Sequence, residues 1–146
     1  MMYSSTSQTQ FPINQDAASI LPVVAGLIQP KGGTNTEAGL RDGQATFLND
    51  GKPHIIILIT DGLPAVIGQT EAEARTRVAT AAEEIKATGT FIVPIGVLAA
   101  ISNSVAKTLT KNLNTWASSP RFVFTPDDYD VLLSILDEIV GEIECV

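Results

Sequence analysis

The run His54-Ile55-Ile56-Ile57-Leu58-Ile59-Thr60 sets five branched aliphatic residues in succession. An extended strand of this kind has no polar face, so both of its faces call for cover. That is the mark of an interior strand in a parallel sheet. Thr90-Phe91-Ile92-Val93-Pro94-Ile95-Gly96 reads as a second buried strand. Pro94 offers no N–H to a ladder, so pairing is expected to weaken or end there. Arg121-Phe122-Val123-Phe124 reads as a shorter third strand, and Thr9-Gln10-Phe11-Pro12-Ile13 as an edge strand, where a proline is tolerated.

Helical segments alternate with these strands. The clearest runs from about Thr70 to Thr88, with Thr70 and Glu73 forming a capping box and Gly89 placed to end it. Ala74, Val78, Ala81 and Ile85 recur at helical spacing as its buried face, and Glu71–Arg75 and Glu73–Arg77 are spaced for outward ion pairs. Asp16 to Leu27 is a second helix, which Pro22 should kink or shorten. Glu37 to Leu48 is a third, with Gly39 and Gly43 permitting close packing. Ser102 to Trp116 carries Val105, Leu109 and Leu113 on one face. A closing helix from about Asp127 to Glu142 buries Leu132, Ile135, Leu136, Ile139 and Val140, with Asp127 and Asp128 at the positive end of its dipole.

The alternation predicts an α/β fold, doubly wound, with a mostly parallel sheet and helices on both faces. Right-handed crossovers gather the loops after Thr60, Gly96 and Phe124 at one sheet edge, where ligands of such folds bind. Residues 1–146 suit a single domain. The net charge of −7 argues against nucleic acid or an anionic membrane surface as partner. No apolar run approaches the ~20 residues of a membrane span. Met1-Met2-Tyr3-Ser4-Ser5 lacks the basic and apolar regions of a signal peptide, which taken literally points to the cytoplasm. Cys145, the sole cysteine, has no internal disulfide partner.

Two segments carry chemistry. Gly32-Gly33-Thr34-Asn35-Thr36-Glu37 is a glycine-rich loop leading into a helix, and Ile59-Thr60-Asp61-Gly62 delivers an acid from a buried strand onto a glycine turn. A carboxylate beside a threonine hydroxyl is a set of hard oxygen donors suited to Mg²⁺, Mn²⁺ or Ca²⁺. Plainer roles stand beside these. Asp61-Gly62 also fits a tight turn, and Thr34 and Thr36 fit helix caps. His54 reads as structural, and Trp116 as cover for a helix end or the core rim.

Together the two segments resemble the second and third motifs of the metal-ion-dependent adhesion site in von Willebrand factor A-type domains. Tyr3-Ser4-Ser5 through Phe11-Pro12-Ile13-Asn14, Ile95-Gly96-Val97, and Phe122-Val123-Phe124 with the closing helix also resemble parts of that family, in order. The resemblance implies a metal-facing hydroxyl on Thr34 and an Asp61 that holds the ion through a bound water. It further implies a non-enzymatic protein-binding or adhesion module, in which an acidic side chain of a protein ligand completes the shell of a Mg²⁺, Mn²⁺ or Ca²⁺ ion. The family's first strand, ending in DxSxS, has no counterpart here. Residues 1–146 are thus expected to be one partial, amino-terminally truncated domain lacking its first central strand, with His54 to Thr60 left as an unpaired apolar edge. Extracellular members often bridge a cysteine after the last helix to one before the first strand, so Cys145 points to the cell surface or matrix for the parent protein. Two other readings are a structural domain with a degenerate metal site, and a Mg²⁺-dependent phospho-acceptor or hydrolase with Asp61 as nucleophile. The second lacks a partner acid, a lysine in Val97 to Ile101, and the lysine of a phosphate-binding loop after Gly32-Gly33.

Overall fold

The computed structural model describes residues 1–10, 12, 16–28, 31–98, 101–126 and 141. Two parallel strands form its centre: β3 (Ile55–Thr60) and β4 (Phe91–Gly96), in register from Ile55 opposite Phe91 to Thr60 opposite Gly96. The crossover between them is α3 (Glu71–Ala87). Before β3 come a short antiparallel pair, β1 (Met2–Tyr3) and β2 (Ser7–Gln8), then α1 (Ala17–Ala25) and α2 (Thr36–Ala45). After β4 come α4 (Asn103–Trp116) and a 3₁₀ turn over Pro120–Phe122. The architecture is α/β, as the alternation predicts.

Strand pleating divides the core in two. Ile56, Leu58 and Ile92 point to one face, where Leu40 of α2, Val78, Ala82 and Ile85 of α3, and Leu109, Leu113 and Trp116 of α4 cover them. Val93, Ile95 and Val97 point to the other and meet Phe122 and Phe124. Trp116 is fully inside rather than at the rim, at 1% exposure. The expected closing helix, apart from Gly141, lies outside the described residues, as do Phe11 and Ile13 of the expected edge strand. The edge strand that is described falls earlier, at Ser7–Gln8.

Pro94 does not interrupt the ladder. The Phe91 and Val97 amides donate to His54 and Thr60 carbonyls at 2.8 and 2.9 Å, whereas the Ile92 and Gly96 amides turn away, to Ser118 Oγ and to the Phe124 carbonyl. Odd residues of β4 therefore bond to β3 and even ones face outward. Pro94 belongs to the outward set, so its missing N–H removes nothing from the β3 pairing, which continues to Gly96. The third expected strand, Arg121 to Phe124, is reduced to one parallel bridge, Phe124 with Ile95. Pro120 sets a helical φ at the start of the preceding turn, which takes up Arg121 and Phe122.

The capping box of α3 forms as expected, with the Glu73 amide donating to Thr70 Oγ1 at 3.2 Å and Glu73 Oε2 accepting from the Thr70 amide at 2.7 Å. Its buried face is Ala74, Val78, Ala81, Ala82 and Ile85. Glu71 pairs with Arg75 at 3.1 Å, but Glu73 does not pair with Arg77. The capping box consumes the Glu73 carboxylate, and Arg77 reaches across to Glu37 of α2 at 2.7 Å. α1 opens on an Asp16 cap, runs through Pro22 and stops three residues later. His54 is structural, its ring stacked on Phe47 with centroids 4.4 Å apart and Nε2 3.0 Å from the Leu48 carbonyl.

β3 is paired on one side only. Its even carbonyls bond to β4, so the peptide groups of Ile55, Ile57 and Ile59 face the opposite edge. Among the described residues that edge meets no strand; the Tyr3 hydroxyl alone reaches it, donating to the Ile59 carbonyl at 3.2 Å. A tyrosine side chain plus one hydrogen bond spans about two strand spacings of ~4.8 Å. That reach sets an upper limit on the gap between β1 and β3: it is no wider than one intervening strand needs. Ile57 and Ile59, on the same face as Val93 and Ile95, are 49% and 47% exposed, unlike the fully covered strand that composition implies.

Glu37, with its side chain 18% exposed, ties α2 to α3: its two oxygens take Arg41 Nε at 3.0 Å and Arg77 Nε at 2.7 Å. Burial, the largest single influence, pushes this carboxyl's pKa up, but the hydrogen bonds and charges of Arg77 and Arg41 together hold it below the ordinary glutamate value. A depressed pKa contributes stability above the unfolded-state value and loses it as pH falls through the folded one. Glu37→Gln is expected to cost about 1–2 kcal/mol at pH 7. The difference from wild type should shrink in urea titrations repeated near pH 3.

Candidate functional site

The Gly32–Asn35 loop is shaped by backbone contacts on both sides. Gly32 has φ +138, and a Cβ there would strike Ser5 Oγ. Gly33 lies so close to the Ala65 carbonyl that any side chain would collide with it. Between these contacts the Thr34 amide donates to the Ala65 carbonyl at 2.7 Å, and the Ala65 amide returns a bond to the Thr34 carbonyl at 3.0 Å. The loop after β3 is thereby pinned to the loop before α2. On the other flank, Ser5 Oγ accepts from the Gly33 amide at 2.8 Å, and the Ser4 carbonyl accepts from the Asn35 amide at 2.6 Å.

The cap of α2 is Asn35, whose side-chain oxygen accepts from the Ala38 amide at 3.1 Å. Neither Thr34 nor Thr36 caps the helix. Thr36 is its first residue, 1% exposed, and its hydroxyl makes no hydrogen bond among the described residues. Thr34 spends both backbone groups on Ala65 and lines the cavity at the end of β3.

Asp61 follows the last residue of β3 and is exposed. Thr60, 5% exposed, fixes the turn beneath it by donating its hydroxyl to the Gly62 carbonyl at 3.2 Å. Thr34, Asp61, Thr60, Gly32, Gly33, Ser4 and Tyr3 line one cavity of about 340 Å³ at the carboxyl end of β3. The two sequence-predicted site residues thus share a single cavity, although Thr34 and Asp61 lie far apart in sequence. Among the described residues, only the loop after Thr60, of the three expected at this edge, contributes to the lining. Val97 instead donates its amide to the Thr60 carbonyl, and Leu98 donates to Pro126.

Tyr3 and Ser5 are the site residues that sequence reasoning passes over. The Tyr3 hydroxyl lies among the Thr36 and Thr60 hydroxyls and bonds to the Ile59 carbonyl. Burial above all, with the Asp61 charge adding to it, raises the Tyr3 pKa against the opposing effect of the two threonine hydroxyls, so the group stays a neutral donor. No spacing rule links residue 5 to residue 33, and no signal in the sequence marks the contact.

The cavity does not by itself make a dedicated cation site. Mg²⁺ requires six oxygens in near-octahedral array. The lining supplies one carboxylate and a few hydroxyls, and no three acidic, histidine or cysteine side chains come together among the described residues.

The loop's dependence on Gly33 is testable. Gly33→Ala forces a Cβ against the Ala65 carbonyl, and is expected to cost about 2–3 kcal/mol in chemical denaturation. Hydrogen exchange should show lost protection at the Thr34 and Ala65 amides first, while α4 amides keep theirs.

The von Willebrand factor type A domain model matches residues 1–138. A search of curated proteins finds no match. Among solved structures, the chain is similar to proximal thread matrix protein 1 from the mussel byssus, in a form whose MIDAS motif is occupied by zinc, at 24% identity and TM-score 0.70, over 94% of this chain and 32% of that one. It is similar to the pilus adhesin SpaC of Lactobacillus rhamnosus GG at 19% identity and TM-score 0.69, over 88% of this chain and 21% of that one. Manganese-loaded Plasmodium vivax TRAP protein follows at 19% identity and TM-score 0.52, over 84% and 46%. The chain spans about a third or less of the first two proteins, and at these identities the likeness is one of fold. The parallel pair, the two loops meeting at its carboxyl edge and the match over 138 residues carry one conclusion: the chain belongs to the von Willebrand factor type A family, whose members mediate adhesion or protein binding.

Proposed function

We propose that this chain is the larger part of a protein-binding module whose rim, carrying Thr34 and Asp61, recognises an acidic side chain of a protein ligand through a bound divalent cation. No bond is made or broken in this function. The observation that carries it is the meeting of Thr34 and Asp61 in one cavity at the carboxyl end of β3. The remaining oxygen donors come from an extended segment seated in the gap between β1 and β3. A strand running parallel to β3 would bury Ile57 and Ile59, satisfy the open peptide groups, and deliver its last residues into that same cavity. In this reading the segment belongs to the parent polypeptide, upstream of Met1. The identity of the ion, among Mg²⁺, Mn²⁺ and Ca²⁺, is set by those donors as much as by Thr34 and Asp61.

Placement at the cell surface or in the matrix belongs to the same proposal, and no helix among the described residues is long and apolar enough to cross a membrane. Cys145, whose disulfide would support it, lies outside the described residues. A second reading, a structural domain with a degenerate site, is favoured by one observation: among the described residues a single carboxylate lines the cavity. The phospho-acceptor reading would need a second acid beside Asp61, and the described lining offers none.

Calorimetric titration with Mg²⁺ and Mn²⁺ distinguishes these. Residues 1–146 alone should bind no tighter than about millimolar, whereas a chain extended upstream should bind at least about tenfold tighter and lose that gain on Asp61→Ala. Micromolar binding by residues 1–146 would overturn the shared-site reading. An extended chain indifferent to Asp61→Ala would leave the degenerate-site reading standing.

A further inference from the structure

The gap beside β3 is not simply open. Its floor is Gly39, Leu40 and Gly43 of α2, and it forms an apolar groove of about 360 Å³ along Ile55 to Ile59. At the carboxyl end of β3 it meets the rim cavity, and Met1, Tyr3 and Ile59 line both. The Tyr3 ring rests on the backbone of Gly39, where a Cβ would come within 3.0 Å of the ring carbons Cγ and Cδ1. From there its hydroxyl spans the groove to the Ile59 carbonyl. Ile59 belongs to the odd set of β3 residues, whose peptide groups face the groove. Its carbonyl is therefore an acceptor that a parallel strand pairing with β3 has to use.

We propose that Tyr3 is a latch on the strand seat: it holds the Ile59 carbonyl that an incoming strand must take, and its release links filling of the seat to the Thr34 loop. This rests on the seat described above. The link follows from chain continuity. Tyr3 is joined directly to Ser4 and Ser5, whose carbonyl and hydroxyl hold the Asn35 and Gly33 amides. A strand that displaces the Tyr3 hydroxyl therefore acts on the same short segment that positions Thr34. In energetic terms the strand exchanges a peptide N–H for a phenol at one carbonyl, so the latch lowers strand affinity by about one hydrogen bond, roughly fivefold.

The probe is a fluorescein-labelled, amidated peptide of sequence Lys-Val-Thr-Val-Ile-Val-Asp, with a variant carrying proline at its centre as control. Binding to the 146-residue chain is read by anisotropy. Tyr3→Phe keeps the ring on Gly39 but frees the carbonyl, and should bind the peptide about fivefold more tightly than wild type. Peptide binding should also alter hydrogen exchange at the Gly33 and Asn35 amides in wild type. If Tyr3→Phe binds the peptide no better than wild type while wild type still prefers it to the proline variant, the latch is wrong and the seat stands. If no chain prefers the peptide to its proline variant, the seat itself falls, and the latch with it.

Discussion

The rim is organised around β3, which among the described residues is paired with a strand along one edge only. The β3–β4 pairing sets the register, and the register decides that Thr60 and Gly96 end together at one side of the sheet. Even residues of β3 are sealed beneath α2, α3 and α4, which makes that face the rigid one. Odd residues keep their peptide groups turned toward β1, across a gap that a single strand would fill. An apolar strand edge left bare is an invitation to pair with another chain. Here β1 and the tyrosine hydroxyl that reaches the Ile59 carbonyl lie beside that edge.

The rim itself is built mainly from backbone. Two glycines let the Thr34 loop slide between Ser5 and Ala65, and four hydrogen bonds from main-chain amides fix it there. A loop held by its own backbone in this way needs little reordering to bind, which under the proposed function favours presentation of the Thr34 hydroxyl. Asp61 is placed more simply, at the end of a strand whose last residue ties down the turn. The two groups are therefore pre-positioned by separate devices, and the Thr34–Ala65 bridge is what keeps the devices in step.

Most of the framework was legible in the sequence because it rests on local signals. The aliphatic run at β3, the capping box at Thr70 and the periodicity of α3 and α4 each identify an element without reference to the rest of the chain. The errors share the opposite cause. Arg77 prefers Glu37 on another helix to Glu73 on its own, because the cap had already claimed Glu73. Pro94 is harmless because of which strand it faces, a property fixed only by register. Asn35 displaces both threonines as cap because the Thr34 backbone is drawn off to Ala65. Of the site, Thr34 and Asp61 were visible as motif residues, but Tyr3 and Ser5 act through contacts that no periodicity encodes.

Two deficits of this chain have a single physical remedy. Among the described residues no strand pairs with the odd edge of β3, and the cavity lining offers one carboxylate and a few hydroxyls. They would be unrelated if the groove and the cavity were separate, yet both are lined by Met1, Tyr3 and Ile59 and run into each other at the end of one strand. A parallel segment filling the first must finish in the second, because strand direction fixes where its carboxyl end arrives. Under the proposed function, folding of the central sheet and completion of the rim are then one event rather than two. Under that coupling, cation affinity reports whether the seat is filled, and the stability of β3 rises with the cation by mass action. A degenerate site would show neither dependence, because filling the groove would repair the sheet without adding a donor to the rim.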